Sequence, residues 1–166
     1  VSDLVTYFAF GSNMSTRQMF NRCPSARPMG TGELRGYHLV FGGRGVASIE
    51  PHESRKVHGV LYVMKAADLL QLDTYEGVPT VYRRCFRKVV DKFGTRWKAH
   101  TYVLNDAGRS RPAESYLSTI REAYVRFNLP IEPLHRALED AKPRPVLQVP
   151  ERMNDEDIRR MMMRVH

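Results

Sequence analysis

The chain has 166 residues, 42% hydrophobic and 27% charged, which fits one packed domain with a short tail and excludes a wholly disordered chain. Lysine and arginine number 26 against 18 acidic residues, a formal charge of +8 that attracts nucleic acid, anionic membranes or small anionic substrates without choosing among them. No run approaches the roughly 18 to 20 apolar residues of a membrane span and the N-terminus lacks signal-peptide regions, so a soluble, unexported, cytoplasmic protein with no membrane partner is expected.

The first 104 residues have strand texture, with β-branched and aromatic runs broken by Gly, Pro, Asp and Ser. Six strands are predicted: Leu4 to Phe10, Leu34 to Phe41, Val46 to Ile49, Val57 to Met64, Tyr82 to Val90 and Arg96 to Leu104. In the last, Trp97, Ala99, Thr101 and Val103 alternate with Lys98, His100, Tyr102 and Leu104, and Asp91-Lys92-Phe93-Gly94 supplies the preceding hairpin turn. Ser15 can cap a helix over Thr16 to Asn21 that stops before Cys23-Pro24. A second short helix is expected from Lys65 to Tyr75, with Gly77 permitting a tight exit.

The longest predicted helix runs from Pro112 to Phe127 with an apolar row at Tyr116, Ile120, Tyr124 and Phe127, and another follows from Pro133 to Ala141. The domain is therefore placed at residues 1–141, a proline-rich linker at 142–153 and a C-terminal tail, helical or frayed, at 154–166. A helical tail could pack on its own domain or on a second copy in a homodimer, and the sequence leaves both open.

Two segments carry candidate chemistry. Tyr7-Phe8-Ala9-Phe10-Gly11-Ser12-Asn13 runs from a strand into a helix start, where backbone N–H groups can hold a carboxylate or phosphate, although a plain capped turn has the same residues. Ser12 has no GxSxG elbow around it and no spaced acid and histidine to make it a nucleophile. In Leu72-Asp73-Thr74-Tyr75-Glu76-Gly77-Val78 a carboxylate ends a helix, where the dipole and apolar neighbours would raise Glu76 above the usual carboxylate value of about 4.3 and suit it to accept and return a proton. The plain alternative is a solvated helix end with arginine partners.

The six histidines show no metal-ligand spacing, and Cys23 and Cys85 lack CxxC spacing, so neither a metal nor a disulfide is expected. Arg83, Arg84, Arg87, Lys88, Lys92, Arg96 and Lys98 bracket a hairpin with Tyr82, Phe86, Phe93 and Trp97 interleaved. That is the one nucleic-acid candidate. Sheet alternation offers the competing reading of core aromatics and solvated charges.

Taken together, Phe10-Gly11-Ser12-Asn13 and Leu72 to Val78 resemble the paired motifs of the γ-glutamylcyclotransferase family, the AIG2-like proteins. The likeness continues through Asn21-Arg22-Cys23-Pro24-Ser25-Ala26, Leu34-Arg35-Gly36-Tyr37, Val57-His58-Gly59-Val60-Leu61-Tyr62, Tyr82 and Tyr116, spanning about residues 5 to 140. It implies an α/β (α+β) fold, a small six-stranded closed or nearly closed β-barrel flanked by helices.

The resemblance also implies an activity that needs neither cofactor nor metal. The α-amine of a γ-glutamyl amide attacks its own γ-carbonyl, releasing 5-oxoproline and the free amine. Glu76 would be the general acid/base, the segment Tyr7, Phe8, Ala9, Phe10, Gly11, Ser12 and Asn13 the glutamyl cradle, and Tyr82 and Tyr116 the cavity walls. Phe10 stands where the family usually has tyrosine. Asn13, where glutathione-specific relatives usually have an apolar residue, points to γ-glutamyl amino acids or amines. A non-catalytic ligand-binding module on the same fold and a basic RNA-binding protein remain as alternatives.

Overall fold

Alternating and β-branched segments close on themselves here, which removes the exposed edges that an open sheet would leave. The computed structural model describes residues 3–141 together with Arg159; the predicted linker and the rest of the tail lie outside the described residues. Five strands, β1 (Leu4–Ala9), β2 (Arg27–Phe41), β3 (Ala47–Lys65), β4 (Tyr82–Asp91) and β5 (Arg96–Leu104), form a closed barrel in the order β1-β3-β2-β4-β5. All neighbours are antiparallel except at the seam, where β5 meets β1 in parallel with Tyr7 opposite His100. The seam is reinforced by Thr101, whose hydroxyl donates to the Phe8 carbonyl at 2.8 Å.

The strand count differs from the expected six because Val46 to Ile49 and Val57 to Met64 are two ends of one strand, β3. Pro51 at the presumed break pairs with Tyr37, and the next pair, Arg35 with Lys56, leaves residues 52–55 opposite Gly36 alone. Pro-His-Glu-Ser is thus an irregularity inside a long ladder, absorbed by Gly36 at φ +83°. The outer reach of β2, from Arg27 to Gly32, is hidden in the sequence by its proline and glycines.

Four helices flank the barrel: α1 (Thr16–Arg22), α2 (Ala66–Tyr75), α3 (Glu114–Arg126) and α4 (Glu132–Asp140). Ser15 caps α1 as expected, its hydroxyl accepting from the Gln18 N–H at 3.3 Å. Gly77 takes φ +65° after α2, and the Gly77 and Val78 N–H groups close the helix end on Thr74 and Asp73. The buried row of α3 is Leu117, Ile120, Ala123 and Tyr124, so Tyr116 stands one residue to the side of the core stripe. Burial of Leu117 and Ile120 is worth about 1.5–3 kcal/mol each and fixes the rotation of α3 that turns Tyr116 toward the barrel mouth.

On the β4–β5 hairpin, Trp97 is partly buried, whereas Phe86 and Phe93 are 48% and 82% exposed. Cys23 and Cys85 are both free thiols. Among the described residues no helix is long and apolar enough to cross a membrane.

Gly59 of β3 marks the tightest approach in the wall: a Cβ there would lie 2.3 Å from the Ala9 carbonyl oxygen and 2.8 Å from the Phe8 ring. The backbone carbonyl cannot swing aside. Gly59→Ala is therefore expected to destabilise the fold by about 2 kcal/mol or more, read as a lower midpoint in urea denaturation; a midpoint equal to the parent would show that the wall yields.

Candidate active site

The chain leaves β1 through Phe10 and Gly11, makes one 3-10 turn over Ser12–Met14 and enters α1 at Ser15. Gly11 is closely packed, since a Cβ would sit 3.1 Å from the Ala47 Cβ and 3.2 Å from the Tyr116 hydroxyl, and those side chains would have to give by a few tenths of an ångström. Tyr62 of β3 fastens the turn from beneath, its hydroxyl lying 3.0 Å from the Asn13 carbonyl and 3.2 Å from that of Met14. Above this turn opens a cavity of about 450 Å³. Its wall includes Tyr7 from β1, Phe10, Gly11, Ser12 and Asn13 from the turn that follows, Glu76 from the end of α2, and Tyr82 and Tyr116 from β4 and α3.

Of the residues singled out in the sequence, eight line this cavity together with one another. Phe8 and Ala9 are fully buried and are not among the lining residues. Their backbone belongs to the β1–β3 ladder.

Asn13 is 5% exposed and holds the site together. Its Nδ2 donates to the Tyr7 hydroxyl at 3.0 Å and to Glu76 Oε1 at 2.8 Å. Its Oδ1 accepts from Gln18 Nε2 and from Arg22 Nη1, both at 3.0 Å. Two donors and two acceptor sites are all that a carboxamide has. Asn13 is therefore fully spent on protein groups, and it positions Glu76 without reserving an atom for a ligand.

Glu76 ends α2 with its side chain 15% exposed. Burial pushes its carboxyl above the ordinary carboxylate range, against the lowering effects of the Asn13 hydrogen bond and the Arg22 guanidinium 4.0 Å away. Among the described residues only Oε1 is hydrogen-bonded, which leaves Oε2 for a ligand. A carboxylate held by one oxygen, raised toward neutrality and facing a cavity can take up and release a proton.

The two outer tyrosines present opposite polarity. Tyr82 donates its proton to the Ala47 carbonyl at 2.9 Å, so it offers a lone pair to the cavity. Tyr116 accepts the Ala47 N–H at 2.9 Å, so its own proton remains to be donated. Burial pushes the Tyr116 phenol up to about 12 and the Tyr82 phenol higher, so both stay protonated at neutral pH.

Sequence reasoning missed Gln18, Arg22, Arg44 and Tyr102, which also line the cavity. Gln18 and Arg22 carry a legible signal, a polar i, i+4 pair on the first helix after the Gly-Ser-Asn turn. The alternation of β5 groups Tyr102 with Lys98 and His100, yet its hydroxyl reaches Asp73 Oδ1 at 2.6 Å and its ring meets Tyr7 edge-on at 5.6 Å. Among the described residues no group of three or more His, Cys, Asp or Glu is gathered as a metal site.

A family profile described as gamma-glutamyl cyclotransferase, AIG2-like, matches residues 7–120. The γ-glutamylcyclotransferase of Homo sapiens is 28% identical over 137 residues, covering 76% of this chain and 73% of the human one, and that of Mus musculus aligns with the same figures. A solved structure named gamma-glutamyl cyclotransferase superposes with a TM-score of 0.76 at 24% identity, covering 97% of this chain and 99% of its own, which is a likeness of fold.

The raised carboxyl has a stability consequence. Because Glu76 binds its proton more tightly in the folded than in the unfolded chain, ionisation costs stability as pH rises from the unfolded value of about 4.3 through the folded value. Glu76→Gln is expected to raise Tm at pH 7 and to leave it unchanged near pH 3, below both values, where parent and variant are neutral at this position. A lower Tm at pH 7 in calorimetry would contradict the desolvated carboxylate.

Proposed function

The chain belongs to the gamma-glutamyl cyclotransferase, AIG2-like, family, and we propose that it cleaves a γ-glutamyl amide by attack of the substrate's α-amine on its own γ-carbonyl. A new C–N bond closes the five-membered ring, the old amide C–N bond breaks, and the products are 5-oxoproline and a free amine. Nucleophile and electrophile reside in one molecule, so holding the glutamyl chain curled captures much of the effective molarity of intramolecular reactions. The reaction as proposed draws on no cofactor. What remains for the protein is to orient the chain and move protons.

Glu76 carries this reading. An α-amine ordinarily titrates at about 7.7 to 8.0, so at neutral pH it is mostly protonated and must lose a proton before it attacks. Oε2 of Glu76 is the acceptor, since Oε1 is held by Asn13. The same proton then goes to the departing nitrogen as the tetrahedral carbon collapses, and the freed Glu76 carboxylate takes the second proton that the ring nitrogen must lose, which leaves with the amine as its ammonium. Tyr82, whose lone pair faces the cavity, suits the ammonium; Tyr116, whose proton does, suits the oxygen that becomes an oxyanion. The backbone of the Gly11–Asn13 turn is assigned to the glutamyl carboxylate, with the Ser12 N–H shared with the Tyr116 oxygen. Phe10 lines the cavity without a hydroxyl, and in this scheme Tyr7, Tyr82 and Tyr116 provide the phenols.

A panel of γ-glutamyl amino acids, γ-glutamyl amines and glutathione, with 5-oxoproline measured, tests the activity. Release from at least one class is expected, and none from any would overturn the reading. Glu76→Gln should lower kcat by about 10²- to 10⁴-fold with the circular dichroism spectrum intact; turnover within a few-fold of the parent would remove Glu76 as the base.

The pH profile gives a separate check. Since the base must be ionised and burial raises it, kcat/KM should climb with pH through a value above the ordinary 4.3 or so. In Arg22→Gln the lowering cation is gone, so the acid limb should move to higher pH. A shift to lower pH would contradict the assignment.

A further inference from the structure

The proposed chemistry leaves one charged group of the cavity without work. Three ionisable side chains with full charges line the wall: Arg22, Arg44 and Glu76. Arg22 is committed, donating to Asn13 Oδ1, lying 4.0 Å from Glu76 and covering the Tyr75 ring at 5.1 Å. Arg44 is different. Among the described residues its guanidinium takes part in no hydrogen bond, ion pair or ring contact, although it stands in the cavity wall.

The backbone under Arg44 is held firmly. The residue lies in the Gly42-Gly43-Arg44-Gly45 tip between β2 and β3, where the Gly42 N–H reaches the Val46 carbonyl at 2.9 Å and the Gly45 N–H reaches that of Gly42 at 2.8 Å. The Gly43 N–H donates to Asp106 Oδ1 at 3.0 Å. Gly45, at φ +72°, packs so closely on the next segment that a Cβ would lie 2.8 Å from the Arg111 carbonyl oxygen. Asp106, the acid beside this tip, already accepts from the N–H groups of Gly43 and Gly108. A fixed backbone thus carries an unspent guanidinium with five donors, suited to grip a carboxylate in a fork.

Resting on the cyclotransferase reading, we propose that Arg44 is a specificity-determining residue that binds a carboxylate on the departing half of the substrate. The preferred substrates are then γ-glutamyl amides of amino acids or short peptides, with neutral γ-glutamyl amines disfavoured. The glutamyl half has its own partners in the Gly11–Asn13 turn, Glu76 and the two tyrosines, which leaves Arg44 for the group beyond the γ-carbonyl. With Glu76 ionised the wall carries a net single positive charge, which also suits an additional anion.

The test compares γ-glutamyl-L-alanine with γ-glutamyl-L-alaninamide, which differ in one carboxylate. For turnover, the parent should favour the acid about tenfold in kcat/KM, mainly through KM; Arg44→Gln should bring the ratio near 1, and Arg44→Lys should restore part of it. For binding without turnover, calorimetry on the Glu76→Gln protein should show the same acid preference, lost in Glu76→Gln/Arg44→Gln. An acid-to-amide ratio near 1 in the parent, or one that Arg44→Gln leaves unchanged, overturns the role of Arg44 and leaves the cyclotransferase reading standing. An acid preference in binding with no 5-oxoproline from either compound keeps the carboxylate grip and removes the cyclotransferase reading.

Discussion

The four hydrogen bonds of the Asn13 carboxamide are the constraint on which the rest of the site depends. They tie the turn after β1 to the first helix through Gln18 and Arg22, to the barrel wall through Tyr7, and to the end of α2 through Glu76. Each bond to a neutral partner is worth only about 0.5–1.5 kcal/mol net, but an unpaired buried donor or acceptor costs about 1–3 kcal/mol. Losing one partner therefore penalises the others. Gln18 adds a bond to Ser12 Oγ at 2.9 Å, so the network reaches back into the turn, and Glu76 is held as part of it.

This arrangement separates two jobs that a single residue could have shared. Asn13 orients the carboxylate, and burial sets its proton affinity. Burial raises the Glu76 carboxyl, while the Asn13 hydrogen bond and the Arg22 guanidinium act the other way.

Much of this was legible in the residues. Ser15 as a cap, Gly77 as a helix exit and the Asp91–Gly94 turn follow local rules of capping and turn geometry, and each stands where those rules put it; the alternation of β5 holds only to Thr101, because Tyr102 and Leu104 are buried along with Thr101 and Val103. Pro51 misleads because a proline can sit in a ladder beside an irregularity, so local rules divide β3 in two. Periodicity puts Tyr116 within the core row of α3, but packing of Leu117 rotates it to the cavity. Arg44 gives no signal, since an arginine among glycines in a hairpin tip looks like any surface charge. Its position becomes informative only once the barrel brings that tip beside Gly11 and Glu76.

Ala47 receives little notice as a small residue at the start of β3, yet its two main-chain polar groups set the polarity of two cavity phenols. Its carbonyl takes the proton of Tyr82 and its N–H engages the oxygen of Tyr116. Both groups are main-chain atoms. Exchange of the side chain at this position can crowd Gly11 but cannot reverse which phenol gives and which receives. The polarity of the two phenols is thus encoded in the strand backbone and would persist through sequence drift as long as the β3 register is kept.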